Sequence, residues 1–247
     1  MLNNAIVNGR AHVTGHSLIK NDARVGGSVT VTDTARVGGS AVVGGGSRIT
    51  GSATATDNAR VSGDIVIATE AFVGGNAVLS GSVAIAGTAR ISGNVKVSDN
   101  ARISGITAVS GDVEVKGYAQ VREYAIVTGR TVLADRVNVR GHACIDGDGA
   151  EITGDAQLYG YALVTGSPKV KGGEITDHAW VFGDAVMEGT VSVYDYAWLG
   201  GDAHLSGLCS VGGYARVTSG AMESGAVRGD QRIGDIAEVP SSDRVLV

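Results

Sequence analysis

Apolar and polar positions follow one six-residue phrase that recurs about 37 times along the chain. Residues 10–15 read Arg-Ala-His-Val-Thr-Gly and residues 58–63 read Asn-Ala-Arg-Val-Ser-Gly. Position two is Ala or Val, position four is Val, Ile or Leu, and position three varies freely. This alternation predicts a very short strand with two side chains buried and one exposed.

Position six of the phrase is Gly, Asp or Asn, the residues that best tolerate the positive φ of a tight corner. Strands that alternate with corners must wind into a solenoid, in which no single unit buries its apolar side alone. A coil that closes in three phrases uses 18 residues and stacks on the next at about 4.8 Å. We therefore expect an all-β, triangular parallel β-helix of about 12 coils and on the order of 60 Å in length.

The phrase divides the chain into two regions. Residues 1–225 carry the repeat, and residues 226–247 are expected to form a C-terminal tail or cap, with an ending that is compatible with a longer natural chain. One residue is inserted near Asp148, and one is missing within residues 173–177. The two slips cancel, and we interpret them as bulges at corners.

Residues 18 apart stack in columns, and one outward column becomes apolar for six coils. Its third-position residues are Ala108, Ile126, Cys144, Leu163, Trp180 and Trp198. An exposed apolar stripe of this length is typical of an interface. We therefore predict that Ile126, Cys144, Leu163, Trp180 and Trp198 form a contact between copies of the chain.

The corner that leads into this column is rich in aromatic residues. Its first-position residues, here called the aromatic corner, are Tyr124, His142, Tyr161, His178, Tyr196 and Tyr214. Four further residues stand just before the same corner: Arg122, Arg140, Tyr159 and Tyr194. Three interpretations stay open for these ten residues: stacking that stabilises neighbouring coils, packing between subunits, or a groove that binds a small ligand such as a sugar or nucleotide.

Composition narrows the choice of partner and compartment. A net charge of −5 argues against nucleic acid and anionic membranes as partners. No apolar run approaches the roughly 18 residues that span a bilayer. Two cysteines are too few for a disulfide framework, so we expect a cytoplasmic protein, with a virion or surface location left open. The histidines do not cluster as metal ligands, and no metal is expected.

The phrase resembles that of the hexapeptide-repeat family, whose members form left-handed, triangular parallel β-helices. The resemblance covers about 90% of the chain. In the usual family phrase Gly directly follows the large aliphatic residue, whereas here it comes two later, as in Val61-Ser62-Gly63. This variant looks like the long, loop-free repeat proteins of bacteria and phages.

The resemblance implies one enzymatic alternative. Many family members are trimeric acyltransferases that use acetyl-CoA, with a histidine as general base near the subunit boundary. His142 and His178 are the residues here that would take this role. The resemblance also implies an extruded loop that shapes the acceptor site and a helical segment after the repeat. This sequence predicts neither, which counts against the enzymatic alternative.

We therefore predict a non-catalytic structural or binding rod that needs no cofactor and associates with itself, as a homotrimer in preference to a dimer. The acetyl-CoA-dependent acyltransferase is the alternative, so enzymatic activity stays undecided.

Overall fold

The chain is a single parallel β-helix of about 13 coils, seen in a computed structural model that describes residues 4–234. Across those residues there are 34 strands, each paired in parallel with strands one coil away, and no helix. The prediction of an all-β parallel β-helix is confirmed. The structure has about one coil more than expected because strand pairing continues past residue 225, to Ile233.

Three faces make up each coil. The strands of the first face are Ile6–Val7, Arg24–Val25, Val42–Val43, Arg60–Val61, Val78–Leu79, Lys96–Val97, Asp112–Val115 and Lys169–Lys171. The strands of the second face are His12–Val13, Thr30–Val31, Arg48–Ile49, Val66–Ile67, Ala84–Ile85, Arg102–Ile103, Gln120–Val121, Asn138–Val139, Gln157–Leu158 and Glu174–Ile175.

The third face carries the predicted apolar column. Its strands are Leu18–Ile19, Arg36–Val37, Thr54–Ala55, Phe72–Val73, Arg90–Ile91, Ala108–Val109, Leu163–Gly166, Trp180–Val181, Trp198–Leu199, Arg216–Val217 and Arg232–Ile233.

Longer strands run around a corner and serve two faces. From the third face to the first run Ile126–Leu133 and Cys144–Thr153. From the first face to the second run Val186–Val193, His204–Val211 and Ala221–Val227.

The second and fourth positions of the phrase form one continuous core. In a typical unit Ala23 and Val25 are buried, whereas Arg24 between them is exposed. The register places each buried side chain on its equivalent one coil away, as with Val25 on Val43. At the N-terminal end Val13 is still 37% exposed, because no described coil covers it. Burial therefore depends on stacking, as expected for a solenoid.

The sixth position takes the left-handed conformation that a corner requires. Glycines do this at most corners, and Asp33 does so with φ of 62°. The Asp33 carboxylate also accepts a hydrogen bond from the Gly51 N–H one coil away, at 2.8 Å. Asp57 and Asp99 repeat this contact with Gly75 and Gly117. An acidic residue at this corner thus offsets its backbone strain by joining two coils.

Both slips in the repeat lie where the sequence places them. Arg130 pairs with Asp148 and Thr131 pairs with Ala150, so Gly149 is the extra residue of a bulge. The deletion is absorbed before Trp180, which pairs with Leu163 only 17 residues earlier. Two further contractions, which sequence reasoning missed, occur in the pairing with the next strand: His204 pairs with Ala221, 17 residues later, and Leu208 pairs with Ser224, 16 residues later.

The C-terminal coil extends beyond the boundary expected at residue 225. The strand Arg232–Ile233 pairs with Arg216–Val217 and continues the third face. The remainder of the expected tail, residues 235–247, lies outside the described residues.

Candidate functional site

The aromatic corner forms a continuous stack of rings along the helix axis. The centroids of Tyr124 and His142 are 4.8 Å apart with planes within 5° of parallel, and His142 stands in the same relation to Tyr161. The stack continues through His178 to Tyr196 and Tyr214, at spacings of 4.8 to 5.2 Å. The ring spacing follows the coil spacing, because each ring occupies the same position of consecutive coils.

Stacking decides which parts of these rings are accessible. Each inner ring has both faces against its neighbours, so only ring edges and polar atoms point outward. Even so, the tyrosines of the stack are 49% exposed at Tyr196 to 62% exposed at Tyr214, and both histidines are exposed. The stack can therefore offer hydrogen-bonding edges to a ligand or subunit, whereas a sugar would find an open ring face only at the ends of the stack.

Arg122, Arg140, Tyr159 and Tyr194 line the side of the same corner that belongs to the second face. The Arg140 guanidinium lies 4.3 Å from the centroid of the Tyr159 ring, a cation–π contact. Burial, reinforced by the charge of Glu174, raises the pKa of the Tyr159 phenol. The Nε atoms of Arg122 and Arg140 are buried and have no hydrogen-bond partner.

Tyr194, the last member of this set, lies flat over the next coil. A Cβ placed on Gly212 would come within 2.2 Å of the Tyr194 ring, so only glycine fits beneath it. The ten residues predicted as ligand candidates thus lie along one corner of the helix. Their role as ligand contacts stays a prediction.

The apolar column of the third face is partly exposed. Ile126 is 42% exposed, and Cys144 and Leu163, which stack on it in register, are half-buried. Burial, followed by the nearby charge of Asp146, raises the pKa of the Cys144 thiol. These three residues form an apolar strip one column wide that crosses three coils.

At the C-terminal end of the column the two tryptophans pack within their own chain. Trp180 lies 4.5 Å from Phe182 and 5.2 Å from Trp198, and its indole N–H donates to the Thr165 hydroxyl at 2.9 Å. Arg216 covers the Trp198 ring at 3.9 Å. Both tryptophans are half-buried, so part of each ring is covered by side chains of its own chain.

Phe182 is the element of this cluster that sequence reasoning missed. It occupies position five, which is otherwise polar or glycine on this face, yet it is only 2% exposed. A Cβ on Gly200, one coil away, would lie 2.2 Å from the Phe182 ring. A large aromatic residue 18 positions before a glycine was the available signal.

His142 and His178 do not lie together. Tyr161 separates their rings in the stack. In residues 4–234 neither imidazole has a side-chain hydrogen-bond partner of the kind that orients a general base. Each presents only its ring edge to solvent, so a partner subunit or substrate would have to supply the missing contact.

Metal-ligating side chains do not converge in the part of the chain that the structure describes. The carboxylates near the bulge are engaged in ion pairs, Asp148 with Arg130 and Asp155 with Arg136. The same residues also include no helix that could cross a membrane.

No protein-family model and no curated protein matches this sequence. Similar solved structures include the UDP-N-acetylglucosamine acyltransferase from Campylobacter jejuni, with 16% identity and a TM-score of 0.28 over 73% of this chain and 70% of that one. The Francisella novicida UDP-N-acetylglucosamine acyltransferase aligns at 13% identity and a TM-score of 0.25, over 80% of this chain and 63% of that one.

A UDP-N-acetylglucosamine O-acyltransferase from Moraxella catarrhalis aligns at 12% identity and a TM-score of 0.24, over 85% of this chain and 66% of that one. At these values the likeness carries no argument about activity. The six-residue phrase and the three-faced coil of 18 residues together show a parallel β-helix built on a six-residue repeat.

Proposed function

We propose that this protein is a structural and binding rod that associates with itself through the C-terminal half of its third face. One observation carries the proposal: from Ala108 to Trp198 the outward third positions hold no charged residue, whereas Arg90 and Arg216 bound the stretch on either side. A polar surface would be expected on a rod whose third face meets only water.

The geometry of a solenoid favours this kind of contact. Each face is flat and repeats at about 4.8 Å, so a second copy can align its own column with the same spacing. The strip consists of exposed Ile126 and half-buried Cys144 and Leu163, and the edges of Tyr124, His142 and Tyr161 border it. Association would withdraw this apolar surface from water at roughly 25 cal/mol per Å².

We propose a closed homotrimer in preference to a dimer. A triangular cross-section lets three rods meet with equivalent faces around one axis, and closed cyclic symmetry avoids unlimited growth. In such an arrangement the aromatic corner of one copy would border the next copy.

Paired variants test the proposal. Ile126→Glu with Leu163→Glu places two charges on the strip, and we expect folded monomers in sedimentation velocity. Val66→Glu with Val78→Glu is the matched control, because these two valines are 37% exposed on the second and first faces. Melting curves confirm that both variants fold. A strip variant that keeps the wild-type mass would contradict the proposal.

A second candidate function is acyl transfer. The feature of this chain that favours the candidate is a pair of exposed imidazoles, His142 and His178, on the corner that would border a second subunit. One of them would accept the proton of an acceptor hydroxyl or amine as acetyl-CoA is attacked.

Binding of acetyl-CoA distinguishes the two candidates. The acyltransferase requires that acetyl-CoA raise the melting temperature and that His142→Ala or His178→Ala abolish transfer. A structural rod should show no shift with a CoA thioester. His16→Ala is the control, since His16 holds the same position of the phrase in a coil without stacked rings.

A further inference from the structure

Arg122 and Arg140 occupy the same position in consecutive coils. The strands that precede them pair in register, with Gln120 opposite Asn138. The backbone N–H of Arg122 donates a hydrogen bond to the backbone carbonyl of Val139 at 2.9 Å. Their backbones are therefore about one coil, roughly 4.8 Å, apart. Two guanidinium-bearing side chains leave the second face side by side, just before the aromatic corner.

Some like charges are kept apart along the rod, although Arg216 and Arg232 are register partners in consecutive coils of the third face. On the first face Val42 separates Arg24 from Arg60, which leaves two coils between the charges. Two other arginines of the C-terminal half, Arg130 and Arg136, each bind a carboxylate. Placing Arg122 and Arg140 together without a carboxylate costs electrostatic free energy that a bound anion would offset.

The surroundings of the two arginines favour the binding of an anion. The guanidinium carbon of Arg140 lies 4.3 Å from the centroid of the Tyr159 ring, so the ring supports the cation from one side. Both side chains are half-buried, and both Nε–H groups are buried without an acceptor. The buried oxygen of Asn138 on the same strand pairs with neither of them. Unmet donors of this kind are uncommon in folded proteins and call for a partner.

The nearby carboxylates are directed to other groups. Glu123 accepts a hydrogen bond from the Gly141 N–H at 2.8 Å, and Asp177 accepts one from the Thr176 hydroxyl at 2.9 Å. Neither forms an ion pair with Arg122 or Arg140 within the described residues. The charge of Glu174 acts on the Tyr159 phenol, and Tyr159 lies one coil beyond Arg140.

We propose that Arg122 and Arg140 form a binding site for a phosphate-class dianion, supported from below by Tyr159. Small rotations of the two guanidinium groups turn their Nε–H and Nη–H edges to the oxygens of one tetrahedral group seated between the coils. Guanidinium groups favour this geometry because two parallel N–H donors match two anionic oxygens. The site goes beyond the proposed self-association, because its residues lie on the second-face side of the corner.

Titration with inorganic phosphate and pyrophosphate, followed by calorimetry at fixed ionic strength, tests the site. Chloride at matched ionic strength is the reference. We expect saturable binding to wild-type protein and a loss of about tenfold or more in affinity for Arg122→Gln with Arg140→Gln. Arg130→Gln, which removes an exposed arginine of the same half, should bind as wild type does.

A conservative variant keeps the test independent of folding. Arg122→Lys with Arg140→Lys retains both charges but not the paired donors, so we expect it to fold and to bind several-fold more weakly. Absence of binding to wild-type protein beyond the chloride reference would overturn the proposal. Equal binding by wild type and the double glutamine variant would also overturn it, and would leave the two arginines with a stacking role only.

Discussion

The imidazole of His142 lies parallel to the phenol ring of Tyr161 one coil farther along, with centroids 4.8 Å apart and planes 5° apart. The opposite face of the imidazole meets Tyr124 in the same way. One histidine therefore links three coils through ring contacts that add to the backbone ladder.

Removing His142 should weaken the stack measurably. His142→Ala deletes two ring contacts, each worth about 0.5–1.5 kcal/mol, so we expect a loss of about 1–3 kcal/mol in the free energy of unfolding. Urea denaturation measures this loss in the free energy of unfolding. His16→Ala changes the same position of the phrase where no ring stacks, and it should cost far less. Equal losses would show that the stack contributes nothing.

Gly200→Ala should destabilise the third face for a steric reason. The added Cβ would lie 2.2 Å from the buried Phe182 ring. Overpacking of this kind costs about 1–3 kcal/mol, which thermal melting detects. Gly44→Ala is the control at the same position of the phrase, because its Cβ would meet no atom closer than 3.9 Å. Equal melting temperatures for the two variants would show that the Phe182 side chain is not held in a fixed conformation.

Thr69→Gly should stabilise the protein. Thr69 is a β-branched residue held at φ of 66°, and it forms no side-chain bond to the next coil of the type made by Asp57. Relief of this strain is expected to add about 1 kcal/mol to the free energy of unfolding. Glu123→Gly serves as the contrast, because Glu123 at φ of 66° binds the Gly141 N–H and would lose that bond. A Thr69→Gly protein no more stable than wild type would contradict the strain argument.

The rate of alkylation of Cys144 should be low near neutral pH and should still increase at high pH. Its pKa is raised by burial and by the charge of Asp146, so less thiolate is present at pH 8 than in an unperturbed cysteine. In a Cys209→Ser background, we expect the rate of reaction with iodoacetamide to keep increasing above pH 9 in the native protein. The rate for the unfolded chain should reach its plateau at a lower pH. A native rate equal to that of the unfolded chain at pH 8 would refute this.

The fold was readable from the sequence because each phrase repeats the same local requirement. Position four must fill the core and position six must turn, and both requirements recur in units such as residues 58–63. Even the bulge at Gly149 was visible, since a single extra residue shifts the phrase. Handedness came only from the family resemblance, because the period alone is the same for either hand.

The details of the candidate site were less accessible. Column positions bring together the rings of the aromatic corner and leave stacking as one of three interpretations, whereas the parallel ring planes in the structure establish that the rings stack. The column pattern predicts exposed tryptophans, whereas Phe182 and Arg216 cover part of them in the structure. Such contacts depend on side-chain direction within a face, which a one-letter pattern does not encode.

The native mass of the protein tests self-association most directly. Light scattering coupled to size exclusion should give about 75 kDa for a trimer of the 24.9 kDa chain, or about 50 kDa for a dimer. The Ile126→Glu, Leu163→Glu protein should fall to 24.9 kDa under the same conditions. A wild-type mass of 24.9 kDa at every concentration tested would contradict the account.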